Sequence, residues 1–117
     1  MDILYKNKKI EKQCTDLKEA KKLYGCYGEN ILGRINLLVA MKSFQDVCNY
    51  PGLNCHLLSG KLNGYWSIDV KGRKCSLRII LCPLNGDGEK VKIDDDFANE
   101  CKLINIIFIE EVSNHYE

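Results

Sequence analysis

The chain of 117 residues lacks a long apolar segment. Its longest apolar run, residues 103–109, is interrupted by Asn105 and has the length of a strand, whereas a membrane-spanning helix needs about 20 apolar residues. The first residues also lack the basic, apolar and small-residue order of a signal peptide. We therefore expect a cytoplasmic protein with no membrane partner.

Paired cysteine motifs are absent as well. The chain has seven cysteines, an odd number, and none forms a Cys-x-x-Cys pair, whereas a secreted disulfide scaffold usually has an even number. Cys55 and His56 are adjacent and would point to opposite faces of a strand, which makes them a poor pair of zinc ligands. We expect reduced, mostly buried thiols, no metal site and no cofactor.

The net charge of the whole chain is only +1, so charge of one sign does not dominate. The basic and acidic side chains are nevertheless unevenly distributed along the chain. Residues 1–82 carry 14 basic and 7 acidic side chains, a net of +7, and residues 83–117 carry 3 and 9, a net of −6. A basic body is suited to an anionic partner. A solvated lysine-rich helix face would explain the same charges, and both readings stay open.

The length of 117 residues predicts one domain over residues 1–117, and hydrophobic periodicity predicts its elements. Asn7 should cap a first helix that continues to Tyr24, and a second helix should follow at 29–41 with Gly33 allowing close packing. Its apolar stripe is Ile31, Ile35, Leu38 and Val39. Strands are predicted at 2–6, 55–58, 65–70, 75–82 and 102–112, with Asn63-Gly64 as a hairpin turn and Pro83 as a stop.

The expected fold is α+β, with an N-terminal strand and two helices packed on one face of a small antiparallel sheet. Alternation places Trp66, Ile68 and Val70 on the face beneath the helices. Residues 84–101 are a long connection for a small domain and are expected to form an exposed acidic insertion. The acidic triplet Asp94–Asp96 could bind a metal, but no calcium-loop spacing surrounds it, so we expect a solvated loop.

Only two histidines exist in the chain, His56 and His115. Imidazole can move protons near neutral pH, and a guanidinium such as that of Arg78 can hold a phosphate. If an antiparallel sheet brings these three side chains together, they form a candidate catalytic site for phosphodiester cleavage without a metal. Each residue also has an alternative role. His56 could orient the site or make a polar contact in the core, Arg78 could be an exposed arginine at the sheet edge, and His115 could belong to a disordered tail.

Three motifs and the tail resemble the RelE/ParE toxin superfamily, HigB-like branch, known as plasmid maintenance killer proteins. The motifs are Cys55-His56-x-Leu58-x-Gly60, residues 66–70 (WSIDV) and residues 78–83 (RIILCP), and the tail is residues 109–116. The tail reads Asn-His-Tyr where the family often has Asp-Tyr-His, and Leu77 and Lys61 replace the tyrosine and the acidic residue that are common there.

The resemblance implies the RelE-like fold and the toxin of a type II toxin–antitoxin pair, a ribosome-dependent mRNA endonuclease held inactive by a helix-turn-helix, HigA-like antitoxin. Its oligomeric state is left open. Lys61, Arg73, Lys74 and Tyr116 would contact RNA, and Arg78→Ala is expected to abolish cleavage while leaving the fold intact. The alternatives are a non-catalytic, ParE-like gyrase poison and a degenerate toxin fold that only binds its antitoxin.

Overall fold

The computed structural model describes residues 1–62 and 64–114. Within them, N-terminal helices pack on a mixed, mostly antiparallel sheet with the strand order β1-β5-β4-β3-β2. The strands are β1 (Asp2–Tyr5), β2 (His56–Leu57), β3 (Trp66–Asp69), β4 (Arg78–Leu84) and β5 (Ile106–Ser113). The α-helices are α1 (Lys8–Thr15), α2 (Leu17–Tyr24), α3 (Gly28–Ala40), α4 (Phe44–Asn49) and α5 (Phe97–Glu100). None of the helices in the described part of the chain is long and apolar enough to cross a membrane.

Capping side chains set the start of the first two helices. The Oδ1 atom of Asn7 accepts a hydrogen bond from the Ile10 amide at 2.9 Å, which confirms the predicted start of α1. Asp16 then ends α1 and caps α2, because its Oδ1 atom accepts from the Glu19 amide at 3.2 Å. The predicted first helix is therefore two helices with a break at Asp16.

Helix α3 buries most of its predicted apolar stripe. Ile31, Ile35 and Leu38 lie in the core, but Val39 is 52% exposed, so the stripe is one residue narrower than predicted. Ile68 and Val70 of the sheet belong to the same buried cluster. Trp66 is half-buried beside them, and its ring centroid lies 5.2 Å from that of Phe44. The predicted face of this strand is therefore confirmed.

Gly28, and not Gly33, is the glycine at a close backbone approach. A Cβ atom at Gly28 would lie 2.7 Å from the Lys21 amide nitrogen and 2.8 Å from the Ala20 carbonyl carbon, both of which are backbone atoms of α2. A Cβ atom at Gly33 would meet nothing within 4 Å. The prediction that Gly33 allows close helix packing is wrong, because Gly33 faces open space.

Because Gly28 is closely packed and Gly33 faces open space, replacing each of them with alanine should have opposite effects on the free energy of unfolding. Gly33→Ala should raise the free energy of unfolding by about 0.5–1 kcal/mol, since alanine restricts the unfolded chain and favours helix. Gly28→Ala should lower it by about 1–3 kcal/mol, because backbone must move to admit the methyl group. Urea denaturation of both variants beside the wild type measures the two changes. Equal shifts in the same direction would contradict this packing.

The sheet departs from the prediction at its first edge. β1 is an edge strand, and it pairs with β5 in parallel, from Asp2 opposite Ile106 to Tyr5 opposite Ile109. The other pairings, β2–β3, β3–β4 and β4–β5, are antiparallel. Nearly the whole domain separates β1 from β5 along the chain, so no short connection restricts their relative direction, and the sequence pattern does not encode it.

Pro83 lies inside β4, whereas it was predicted to end the strand. Pro83 pairs with Ile107, and its carbonyl accepts from the Val91 amide at 3.3 Å on the opposite edge of β4. The nitrogen and carbonyl of a strand residue point to the same edge, so the missing N–H of Pro83 faces Val91 and costs no bond to β5. β3 pairs with β4 only as far as Leu81, which leaves that edge free of a strand.

The segment between β4 and β5 is tied down at both ends. Leu84 forms an isolated bridge with Lys90, and the Asn85 carboxamide oxygen accepts from the Asp87 and Glu89 amides at 2.9 and 3.0 Å. Residues 85–90 and 92–96 are exposed, but Cys101 is 5% exposed and belongs to the core. The acidic loop therefore projects from a buried base.

Candidate functional site

The sheet face turned away from the helices carries the candidate site. His56 lies opposite Ser67 on β3, and Ser67 lies opposite Ile80 on β4. In the next row, Asp69 lies opposite Arg78. Directly opposed residues share a face, and so do residues two apart on one strand. His56 and Arg78 therefore share this face, and Trp66, Ile68 and Val70 occupy the other.

Arg78 is buried and forms an ion pair. Its side chain is 7% exposed, and its Nε atom lies 3.0 Å from Oδ1 of Asp69, whose side chain is 1% exposed. The approach is a charge contact rather than an aligned hydrogen bond. Nη1 donates to the carbonyl of Leu77 at 2.8 Å and to the carbonyl of Cys75. An exposed edge arginine is thereby excluded.

Helix α3 fixes the end of β3 that carries Asp69. The Nε atom of Arg34 donates to the carbonyls of Asp69 and Val70 at 3.0 and 3.1 Å. The Asp69 amide donates to the carbonyl of Leu53 at 2.7 Å. These bonds cross from the helix layer and the preceding loop to the sheet. The carboxylate of Asp69 is therefore positioned by a rigid backbone before it meets Arg78.

His56 has one ring nitrogen engaged and one left for chemistry. Its Nδ1 atom lies 2.8 Å from the Asn54 carbonyl. A carbonyl oxygen only accepts, so Nδ1 carries the proton in this contact and Nε2 of the neutral ring is the basic nitrogen. Asn54 has a φ of 48°, an uncommon backbone conformation that turns this carbonyl toward the ring. His56 is half-buried on the edge strand β2.

Ser67, Asp69 and Ser113 belong to this face and were not predicted as site residues. Ser67 is completely buried between the strands of His56 and Arg78, and Ser113 is 7% exposed opposite Arg78 on β5. The strands of His56 and Arg78 are two strand spacings apart and the two residues are also offset by two positions along the strands, so their Cα atoms are about 12 Å apart. The alternation of Ser67 and Asp69 in the sequence indicated a polar face, and only the register with β4 could join it to Arg78.

Lysines form the rim of this face. The Nζ atom of Lys6 lies 2.9 Å from Oε1 of Glu110, and this bond raises the pKa of Lys6. The Nζ atom of Lys90 lies 4.0 Å from the centroid of the Tyr65 ring, and a bond to Tyr65 raises the pKa of Lys90. Both amines therefore remain cationic at neutral pH, beside the carboxylate of Glu110.

The predicted RNA-binding residues do not form one cluster. Lys61 is exposed between β2 and β3, and Arg73 and Lys74 are exposed between β3 and β4. These connections are at opposite ends of β3, which is about 13 Å long. Tyr116 and the predicted catalytic residue His115 lie outside the described residues. β5 ends at Ser113, opposite Arg78, so the chain leaves the sheet beside that arginine.

Among residues 1–62 and 64–114, no group of three or more histidine, cysteine, aspartate or glutamate side chains has the geometry to hold a metal ion. Comparison of the chain with protein-family models, curated proteins and solved structures finds no match.

Proposed function

We propose that the chain is a RelE-like, HigB-like toxin of a type II toxin–antitoxin pair and that it cuts mRNA on the ribosome in the cytoplasm. The observation that carries this proposal is the placement of His56, whose Nδ1 is bonded to the Asn54 carbonyl and whose Nε2 is left for proton transfer, on the same sheet face as Arg78. The motifs that resemble the superfamily contain both residues. A helix-turn-helix antitoxin would hold the toxin inactive.

RNA can be cut by its own 2′-oxygen, which attacks the adjacent phosphorus while the 5′-oxygen leaves. The protein must remove the 2′ proton, neutralise phosphate charge and protonate the leaving oxygen. Nε2 of His56 can accept or donate one of these protons. His115 is proposed for the other, and Tyr116 for stacking on a base. No metal is required.

Arg78 is proposed to stabilise the phosphate from the floor of the face. Its contacts to Asp69, Leu77 and Cys75 use Nε and Nη1, and they leave Nη2 out. A guanidinium presents parallel donors, so Nη2 can bind a phosphate oxygen while Nε keeps its carboxylate partner. Lys61, Arg73 and Lys74 would then contact the RNA backbone on either side of the cut.

The buried ion pair also favours a second candidate function. Asp69 already neutralises Arg78, so the arginine attracts a phosphate less than a free guanidinium would. A non-catalytic protein on the same fold, either a gyrase poison or a partner for the antitoxin alone, would need Arg78 only for structure. The basic residues of 1–82 would then serve for binding.

Primer extension on mRNA with purified ribosomes separates these functions. We expect new 5′ ends at codons in the ribosomal A site with the wild-type chain, and none when ribosomes are left out. In cells, pulse labelling should show that protein synthesis stops before DNA synthesis when the chain is expressed without its partner. Uncut mRNA together with an early stop of DNA synthesis would instead support the gyrase poison.

A further inference from the structure

Three of the seven cysteines meet between α4, β2 and the segment after α5. The amide of Gln45 donates to the Cys101 carbonyl at 3.2 Å, and the amide of Phe44 donates to the Ile104 carbonyl at 2.9 Å, so α4 is attached to this segment. Cys48 lies one turn further along α4. Its thiol contacts those of Cys55 and Cys101.

The three thiols differ in exposure and acidity. Cys48 is exposed, and hydrogen bonds from the thiols of Cys55 and Cys101 lower its pKa although partial burial opposes them. The pKa of Cys55 is raised, first by its bond to Cys48 and then by burial. Burial raises the pKa of Cys101 to about 11. Cys48 is therefore the most acidic of the three thiols, and Cys55 holds its proton more strongly.

Two of these three cysteines line the same cavity of about 400 Å³. Cys48 and Cys55 both line it, together with the turn at 49–52, whereas Cys101 does not. The cavity is large enough for a small peroxide. Because the trio lacks metal-binding geometry within the described residues, a redox role fits the group better than a metal site.

We propose that Cys48 and Cys55 form a disulfide in response to hydroperoxides, with Cys48 as the attacking thiol and Cys55 as the resolving thiol. The Cys48 thiolate attacks one oxygen of hydrogen peroxide, the O–O bond breaks, and a sulfenic acid and hydroxide form, the latter taking up a proton to give water. The Cys55 sulfur then attacks the Cys48 sulfur and releases a second water. Two thiols lose two electrons and the peroxide gains them. The proposed disulfide between Cys48 and Cys55 does not depend on the proposed nuclease activity.

The test treats the purified full chain with stoichiometric hydrogen peroxide, blocks free thiols and maps the products by peptide mass spectrometry. We expect the Cys48–Cys55 disulfide to be the first product. Cys26 is the matched control, because it is the other exposed cysteine and has no described thiol contact. Iodoacetamide should modify Cys48 several-fold faster than Cys26 at neutral pH in the untreated protein.

Three variants assign the roles. Cys48→Ser should leave Cys55 reduced, Cys101→Ser should retain the disulfide, and Cys55→Ser should accumulate a sulfenic acid on Cys48 that dimedone traps. A Cys48–Cys101 disulfide as the first product would overturn the choice of Cys55. Oxidation of Cys26 before Cys48, or equal alkylation rates for the two in the wild-type chain, would overturn the reactivity of Cys48 without relying on any variant.

Discussion

Arg78→Ala should lower the free energy of unfolding by about 3–5 kcal/mol, because it leaves the carboxylate of Asp69 buried without its counter-charge. Asp69 is 1% exposed and cannot regain water without opening the sheet. The effect replaces the sequence-based expectation that this substitution leaves the fold intact, since that expectation treated Arg78 as a phosphate contact alone. Urea denaturation followed by circular dichroism measures the change.

The double variant Asp69→Leu, Arg78→Met is the control for this prediction. Both charges are removed and side chains of similar volume fill the space, so most of the stability should return. A loss of less than about 1 kcal/mol in Arg78→Ala, the range of exposed ion pairs, would contradict the buried pair. Because Arg78→Ala is expected to be less stable, its cleavage activity must be assayed at a temperature at which the variant remains folded.

Replacing His56 with glutamine should slow cleavage of ribosome-bound mRNA by about 10²–10⁴-fold, because it removes a group that transfers a proton in the transition state. The stability should change by only about 1 kcal/mol, since the main loss is the contact with the Asn54 carbonyl. Single-turnover cleavage rates and urea denaturation of the same preparation separate the two effects.

Leu57→Ala provides a matched control for His56. Leu57 is the other residue of β2 and pairs with Trp66, so it points to the opposite face of the sheet. It is 38% exposed, and its loss should leave the cleavage rate within a few-fold of the wild type. If His56→Gln cuts as fast as Leu57→Ala, the imidazole is not the proton-transfer group. A matching His115→Ala variant tests the residue proposed as its partner.

Local signals in the sequence predicted the helices and the faces of the sheet well. Asn7 marked a helix start because its side chain satisfies a free amide, and the alternation from Trp66 to Val70 separated the core face from the polar face. The sequence alone could not predict that β1 pairs with β5 in parallel. It also could not predict that Pro83 lies where no strand pairs with the other edge of β4. Both depend on which strands are neighbours, and that is a property of the whole chain.

The same limit explains what was missed in the candidate site. His56 and Arg78 were predicted to form one site if the sheet brought them together, and their registers place both on the face away from the helices. The pairing of Arg78 with Asp69 was not predicted, because residues nine apart along the chain become direct neighbours only through the register of β3 and β4. The contact of Cys48 with Cys101 spans an even longer separation. The composition gives the number of cysteines but does not show which of their thiols lie together in the fold.

The position of β5 between β1 and β4 also sets an order of assembly during synthesis. β5 is made after every other strand of the described sheet, yet it provides Ile107 and Ile109 to the core and is the strand beside which β1 pairs. Helices α1 to α3 can form from local contacts while the chain grows, but the long loop between β1 and β5 closes only afterwards. A nascent chain that has not reached residue 106 would therefore lack the strand that lies opposite Arg78, and the proposed site could form only after β5 has been made.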